Sequence, residues 1–245
     1  MTEFRIEVRE INITPLDRLR NIRIYLPPGY DEISKRYPVW YIHDGQNLFD
    51  ESTAFATDWK LKMTLDKLPA SKQIIVVGID NGGHNRLNEY APYKNKKNGQ
   101  GGEGGIFLEF IVETLKPSID KTYRTLADQN NTFMAGSSLG GLISFYAGLV
   151  YPYVFGKIGV LSPAFWFNPQ VLDIAQKYSA QARSRFYICG SKSESRYMEK
   201  TLHDTYNALK SGGFDDAQIQ VIVRDKGLHN ERFWSREFKK MLEWL

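Results

Sequence analysis

The sequence predicts an α/β protein: a mostly parallel central sheet flanked by helices, with an antiparallel ribbon at its N-terminal side. Three observations carry this. From Val39 to the end, short apolar runs alternate with stretches of helical periodicity, the order in which strands and crossover helices follow one another in a parallel sheet. The runs Val39-Trp40-Tyr41-Ile42 and Ile74-Ile75-Val76-Val77 are apolar at successive positions, as strands covered on both faces are. Before them, Phe4, Ile6 and Val8, then Ile22, Ile24 and Leu26, alternate with other residues, as strands with one covered face do.

The elements follow in order. Pro27-Pro28-Gly29-Tyr30 ends the ribbon, and the strand opening at Val39 runs directly into His43-Asp44-Gly45-Gln46. A helix is expected over residues 59–68, stopped by Pro69, and a second buried strand over 73–79. Residues 80–105 read as a polar loop, long enough inside a compact domain to suggest a function. Helical periodicity resumes over 104–115 through Phe107, Phe110, Ile111 and Leu115, with Pro117 ending or kinking it. Then come a short strand at 132–135, a helix over 139–150, a strand at 158–161 and a helix at 169–178. A strand at 185–189, a helix over 194–210 closed by Ser211-Gly212-Gly213, and a strand at 218–223 complete the alternation. The last helix, 231–245, buries Phe233, Trp234, Phe238, Leu242 and Leu245. Neither a repeat nor a low-complexity linker divides the chain, so residues 1–245 are expected to form one domain.

Composition sets the class of partner. Apolar residues make up 42% of the 245 residues, enough for a sizeable core. The net charge of +4 is spread along the chain, which argues for solubility rather than a nucleic-acid footprint. The densest basic piece, Lys94, Lys96 and Lys97, has only Tyr93 beside it for stacking. No apolar run approaches the roughly 20 residues that span a bilayer, and residues 1–10 lack the apolar core of a secretory signal. With Cys189 the single cysteine, a disulfide framework is excluded and a reducing, cytoplasmic setting is the simpler expectation. No cofactor is expected. A metal site from His43, Asp44 and Asp80 is disfavoured because no second histidine stands at a compact ligand spacing.

The chemistry gathers at the strand ends, where ligands of such sheets bind. Residues 131–141 read N-T-F-M-A-G-S-S-L-G-G. Gly136 and Gly140 flank Ser138 at two residues on either side, where a tight strand-to-helix reversal needs side chains absent. Such a turn lifts the Ser138 hydroxyl above the sheet and turns the first helix amides toward it. A serine nucleophile needs a base. Of the four histidines, His229 follows the last strand and comes after both serine and acid in chain order. His203 sits within a helix and His84 in the long loop, which suits neither as base. The acid is expected to be Glu194, beyond Gly190-Ser191-Lys192-Ser193, with Asp225, Glu231 or a serine-histidine pair without a carboxylate as alternatives. Amides at Leu139 and at Gln46, preferred to Gly45, are expected to form an oxyanion hole. Arg86, Tyr90, Phe165 and Trp166 are candidate substrate contacts, their alternative being packing beneath the loops.

Four ordered motifs add a resemblance over essentially the whole chain. Y-I-H-D-G-Q-N-L-F-D at residues 41–50, G-I-D-N-G-G at 78–83, A-G-S-S-L-G-G at 135–141 and L-S-P-A-F-W at 161–166, with H-N-E at 229–231, resemble the esterase D branch of the α/β-hydrolase superfamily. That branch includes enterochelin-type esterases and relatives of feruloyl and acetylxylan esterases. The resemblance implies an α/β-hydrolase fold and hydrolysis of a small-molecule carboxylic ester through Ser138 and His229. It also implies a carboxylate after the glycine that follows the penultimate core strand, here Glu194. The alternatives are acyl transfer or amide hydrolysis on the same residues, or a binding protein that has no need of them.

Overall fold

The computed structural model describes residues 3–178 and 184–244; Leu245, expected at the end of the last buried helical face, lies outside the described residues. Strands Arg5–Ile13 (β1) and Arg18–Leu26 (β2) are joined by the short turn Thr14–Leu16 and pair antiparallel along their whole length. Ile22, Ile24 and Leu26 of β2 are buried, which accounts for the alternation there.

Every residue of Val39–His43 (β3) and Ile75–Ile79 (β4) is buried. Successive side chains of a strand point to opposite faces. Val39 and Tyr41 accordingly join one apolar cluster, whereas Trp40 and Ile42 join the other. Thr132–Ser137 (β5), Lys157–Leu161 (β6), Arg185–Ser191 (β7) and Ile219–Arg224 (β8) complete one sheet of order β1-β2-β4-β3-β5-β6-β7-β8. β2 pairs antiparallel with β1 and β4, and all pairs from β4 to β8 are parallel. The mostly parallel sheet with its antiparallel ribbon is therefore the observed fold. From β3 the chain first steps outward to β4, then returns to β5 on the other side of β3. A crevice opens beyond the C-terminal ends of strands at such a switch.

Helices cover both faces. Leu61–Leu65 (α1) and Glu231–Trp244 (α8) pack around Trp40, Trp59, Phe133 and Phe238. The opposite face carries Gly104–Phe110 (α3), Lys116–Thr122 (α4), Leu139–Val150 (α5), Val171–Tyr178 (α6) and Met198–Ser211 (α7). A four-residue helix, Arg86–Glu89 (α2), lies inside the long loop. Among the described residues no helix is long and apolar enough to cross a membrane.

Three boundaries differ from expectation for local reasons. The helix expected over 59–68 is reduced to α1 because Lys60 is left-handed at φ 51°, and Trp59 turns inward against Trp234 and Phe238. The helical course begun at Gly104 passes through a π-type turn, Ile111–Leu115, and continues to Thr122. Pro117 falls at the junction of the π-type turn and α4, and a shift of hydrogen-bonding register is one way a helix accommodates such a residue. The helix expected from residue 194 begins at Met198, which leaves Glu194 in the turn that follows β7.

Candidate active site

Three neighbouring strands end in backbone strain. Asp44 after β3 (φ 57°), Ser138 after β5 (φ 57°) and Ser162 after β6 (φ 46°) are non-glycine residues at positive φ, a state costing roughly 1–3 kcal/mol each and persisting only where surroundings fix it. At Ser138 the fixation is complete along the main chain. Its N–H donates to Leu161 O (2.9 Å), and its carbonyl accepts from the amides of Leu142 (3.1 Å) and Ala164 (3.0 Å). The turn closes because Gly136 and Gly140 touch: a Cβ on Gly136 would stand 2.5 Å from the Gly140 carbonyl carbon. α5 begins at Leu139, so the Leu139 amide has no intrahelical acceptor. Its side chain is buried in the core.

A cleft of about 680 Å³ opens over Ser138 and is also lined by His229, Gln46, Arg86, Phe55 and Trp234. His229 Nδ1 lies 2.8 Å from Glu194 Oε2. The other oxygen, Glu194 Oε1, accepts from the Ser191 amide (2.7 Å) and the Ser162 hydroxyl (2.9 Å). Ser162 Oγ in turn accepts from Trp234 Nε1 at 2.9 Å, and the His229 ring stands edge-on to Trp234 with centroids 5.0 Å apart. The Glu194 side chain is 1% exposed. Asp225 is 86% exposed and paired with Lys192 at 3.1 Å, facing away from this arrangement. Glu231 lines the cleft but is not bonded to the histidine. With a carboxylate at Nδ1, the ring proton is drawn to that nitrogen and Nε2 is left free to accept a proton.

Across the cleft, the chain leaves β3 through left-handed Asp44 into a single turn, Gly45–Asn47. Gly45 is pressed against the β4 backbone, where an added Cβ would lie 2.5 Å from the Gly78 carbonyl carbon. Gln46, by contrast, lines the cleft, and its Oε1 accepts from the Asn81 amide at 3.1 Å. The Asp44 carboxylate is gripped by Arg86, Nε to Oδ1 at 2.7 Å and Nη2 to Oδ2 at 2.8 Å, and by Asn81 Nδ2 at 2.7 Å. Burial alone would raise the Asp44 pKa, but Arg86 outweighs it and holds the carboxyl below its usual range.

Two of the expected substrate contacts are corrected. Tyr90 is fully buried, its hydroxyl accepting from the Asp44 amide at 3.1 Å, and Phe165 is buried against Phe145. Neither lines the cleft. Trp166 is 77% exposed and lies outside the lining, whereas Arg86 does line it. Sequence reasoning missed Phe55, which is 91% exposed at the cleft edge; a lone large apolar residue in the stretch 50–58 was the available signal. It also missed the Ser162–Trp234 brace, which no local spacing announces.

His43 sits under the elbow, where a Cβ on Gly140 would come within 3.1 Å of its own Cβ. Its ring packs edge-on to Tyr90 (5.0 Å) and beside Phe107 (5.9 Å), and neither nitrogen finds a hydrogen-bond partner among the described residues. Burial lowers its pKa from 6.5 to about 4, with Asp44 opposing and Arg86 reinforcing the shift. The folded protein then binds fewer protons than the unfolded chain between these values, so stability rises with pH across that window. Acidification from pH 6.5 to 4 is expected to remove up to about 3 kcal/mol through this residue. Urea midpoints of wild type and His43→Leu across that range check it, and identical pH slopes would count against it.

A mostly parallel sheet carrying a serine on a strand-to-helix elbow, with a histidine after the last strand, defines an α/β-hydrolase of the serine-esterase class. A family model described as "Putative esterase" matches residues 13–245, and the chain belongs to that family. It is 30% identical over 239 residues to the uncharacterized protein YbbA of Bacillus subtilis (strain 168), covering 92% of each chain. It is 29% identical over 236 residues to an endo-1,4-beta-xylanase/feruloyl esterase of Xylanibacter ruminicola, covering 92% of this chain and 29% of that protein. Among solved structures, the BES protein of Bacillus cereus superposes with a TM-score of 0.78 at 19% identity, over 98% of this chain and 94% of that one. The chain is thus an esterase-family hydrolase.

Proposed function

We propose that residues 1–245 act as one esterase domain that cleaves small-molecule carboxylic esters through an acyl-enzyme on Ser138. The observation that carries this is the Glu194–His229 hydrogen bond of 2.8 Å at the edge of a cleft that also holds Ser138. His229 Nε2 takes the Ser138 proton as Oγ attacks the ester carbonyl, and the imidazolium then returns it to the departing alcohol. Water enters under the same base and releases the acid. Amides of Leu139 and Gln46 face the developing oxyanion from α5 and from the turn after β3; one such donor is typically worth about 3–4 kcal/mol.

The cleft suits an acyl or alcohol group with an apolar side and several hydroxyls. Phe55, Ala56 and Trp234 offer apolar surface, and Asn47, Asn81 and Asn230 offer hydrogen bonds. This supports carbohydrate acetyl, hydroxycinnamoyl or siderophore-type esters, and the feruloyl esterase relative supports the second of these. The single cysteine, Cys189, is a buried free thiol, which supports a cytoplasmic setting.

The test is a panel of acetylated sugars, feruloyl esters, siderophore lactones and simple aryl esters, each with its matched amide. Ester turnover with free acid as product is expected, and amides should stay intact. Faster cleavage of the amides, or acyl transfer to a sugar or thiol outpacing water, would overturn the reading.

A further inference from the structure

The arginine that lines the cleft has one edge of its guanidinium committed to a carboxylate of the same loop system. Arg86 spends Nε and Nη2 on Asp44, both bonds shorter than 2.9 Å, in the two-pronged geometry a guanidinium makes with a carboxylate. Its plane also lies over the Tyr90 ring at 5.1 Å. The same Asp44 receives Asn81 Nδ2 on its carboxylate and gives its amide to the Tyr90 hydroxyl. Every polar group of a residue held at φ 57° and ψ 47°, save its carbonyl, is therefore tied to the 81–90 segment. Its carbonyl accepts from the Asn47 amide at 2.9 Å and so starts the turn that presents Gln46.

The platform under Arg86 is itself anchored. Glu89, three residues further along α2, is fully buried and takes a hydrogen bond of 2.8 Å on each oxygen from Arg20 Nη2 on β2. Arg18 joins Glu89 at 3.0 Å and reaches on to Glu103 at the far side of the loop. Gly82 packs so tightly on this ion pair that a Cβ there would stand 2.7 Å from Glu89 Oε2. The ion pair to β2 thus anchors the helix that carries both Glu89 and Arg86, and Arg86 reaches from it to Asp44, where the turn bearing Gln46 begins.

We infer that Arg86 and Asp44 form a latch that fixes the Gln46 amide in the oxyanion hole, making Arg86 a positioning residue rather than a substrate-binding one. This rests on the esterase reading above. It also gives the long polar segment 80–105 its use: the segment is the arm that carries the latch. Without the guanidinium, the Asp44 carboxylate keeps only the Asn81 bond of its three hydrogen bonds, its left-handed backbone is held less firmly, and the Gln46 amide moves off its line. Transition-state stabilisation falls while ground-state binding does not, because a donor aimed at the oxyanion contributes chiefly once charge has developed.

The experiment measures kcat and KM separately for wild type, Arg86→Ala, Arg86→Lys and Ser138→Ala on a small neutral aryl acetate and on a hydroxyl-rich ester, with melting temperatures alongside. Arg86→Ala is expected to lower kcat about 10–100-fold on both substrates with KM little changed, short of the 10²–10³ lost when a donor is removed outright. Arg86→Lys, a point charge that cannot grip both oxygens, should also lose kcat on both substrates while keeping the fold. Added ethylguanidinium should restore part of the Arg86→Ala loss. A raised KM confined to the hydroxyl-rich ester, with kcat on the aryl acetate unchanged in either Arg86 variant, would overturn the latch and return Arg86 to substrate binding. If Arg86→Ala does not fold, Arg86→Lys alone decides between these outcomes. Full turnover by Ser138→Ala would instead overturn the esterase reading itself.

Discussion

Replacing Ser138 by alanine is expected to lower kcat on a short aryl ester by about 10⁵–10⁶-fold, the scale seen when a serine hydrolase loses its nucleophile. The residue is suited to a clean test because its main chain, not its side chain, holds the elbow. Its amide and carbonyl bond to Leu161, Leu142 and Ala164, and all of these bonds survive the substitution. Alanine at φ 57° is as strained as serine, so the cost of the turn is unchanged. The melting temperature should therefore stay within a few degrees of wild type, or rise where a strained site is relieved of its polar group. What remains is the slow background reaction of an ester held between the Leu139 and Gln46 amides, which still exceeds the rate in water. A stopped assay following phenol release from wild type and variant at matched concentration reads this directly. Wild-type turnover in the variant, with its fold intact by circular dichroism, would place the nucleophile elsewhere.

The expectations that held were those written in contiguous residues. The Val39-Trp40-Tyr41-Ile42 run names a strand covered on both sides, and its side chains do divide between two apolar clusters. Gly136 and Gly140 announce the elbow because contact between them is a local necessity of the turn. The failures share one cause, a partner distant in sequence. Tyr90 lies in the long polar loop and Phe165 just beyond a strand end, places from which an aromatic side chain reads as a cleft wall. They are buried because Asp44, 46 residues away, needs the Tyr90 hydroxyl, and because Phe145 of α5 packs on Phe165. Arg86 does line the cleft, but no local spacing announces the Asp44 carboxylate that the fold brings to it. Lys60 shows a different limit. Nothing in its local sequence marks a left-handed residue, yet that one dihedral cuts the expected helix to five residues.

The acid offers the second large effect, and its argument turns on which way an amide would face. Glu194→Gln keeps the size of the side chain and should leave the fold intact, but it is expected to lower kcat by about 10⁴-fold, as the matching substitution does in serine proteases. Trp234 Nε1 donates to Ser162 Oγ, which leaves the Ser162 proton for Glu194 Oε1. The Ser191 amide donates to that same oxygen at 2.7 Å. Two donors therefore meet Oε1, and a glutamine must put its carbonyl there because its NH₂ would confront both of them. The NH₂ is then turned to His229 Nδ1, 2.8 Å away in the native pair, where it donates. An Nδ1 that accepts forces the ring proton onto Nε2, and an Nε2 that carries a proton has no lone pair for the Ser138 hydroxyl. The loss should fall on kcat with KM little altered, since the substrate touches neither Glu194 nor the rear of the ring. Combined with His229→Ala it should cost little more than that histidine change alone, because residues acting as one unit are not additive. Asp225→Asn, at an exposed carboxylate paired with Lys192, should leave kcat within about two-fold, as surface changes away from such units do. If the two variants exchanged these outcomes, the acid would belong to the loop that carries His229, and the hydrogen bond to Glu194 would be structural only.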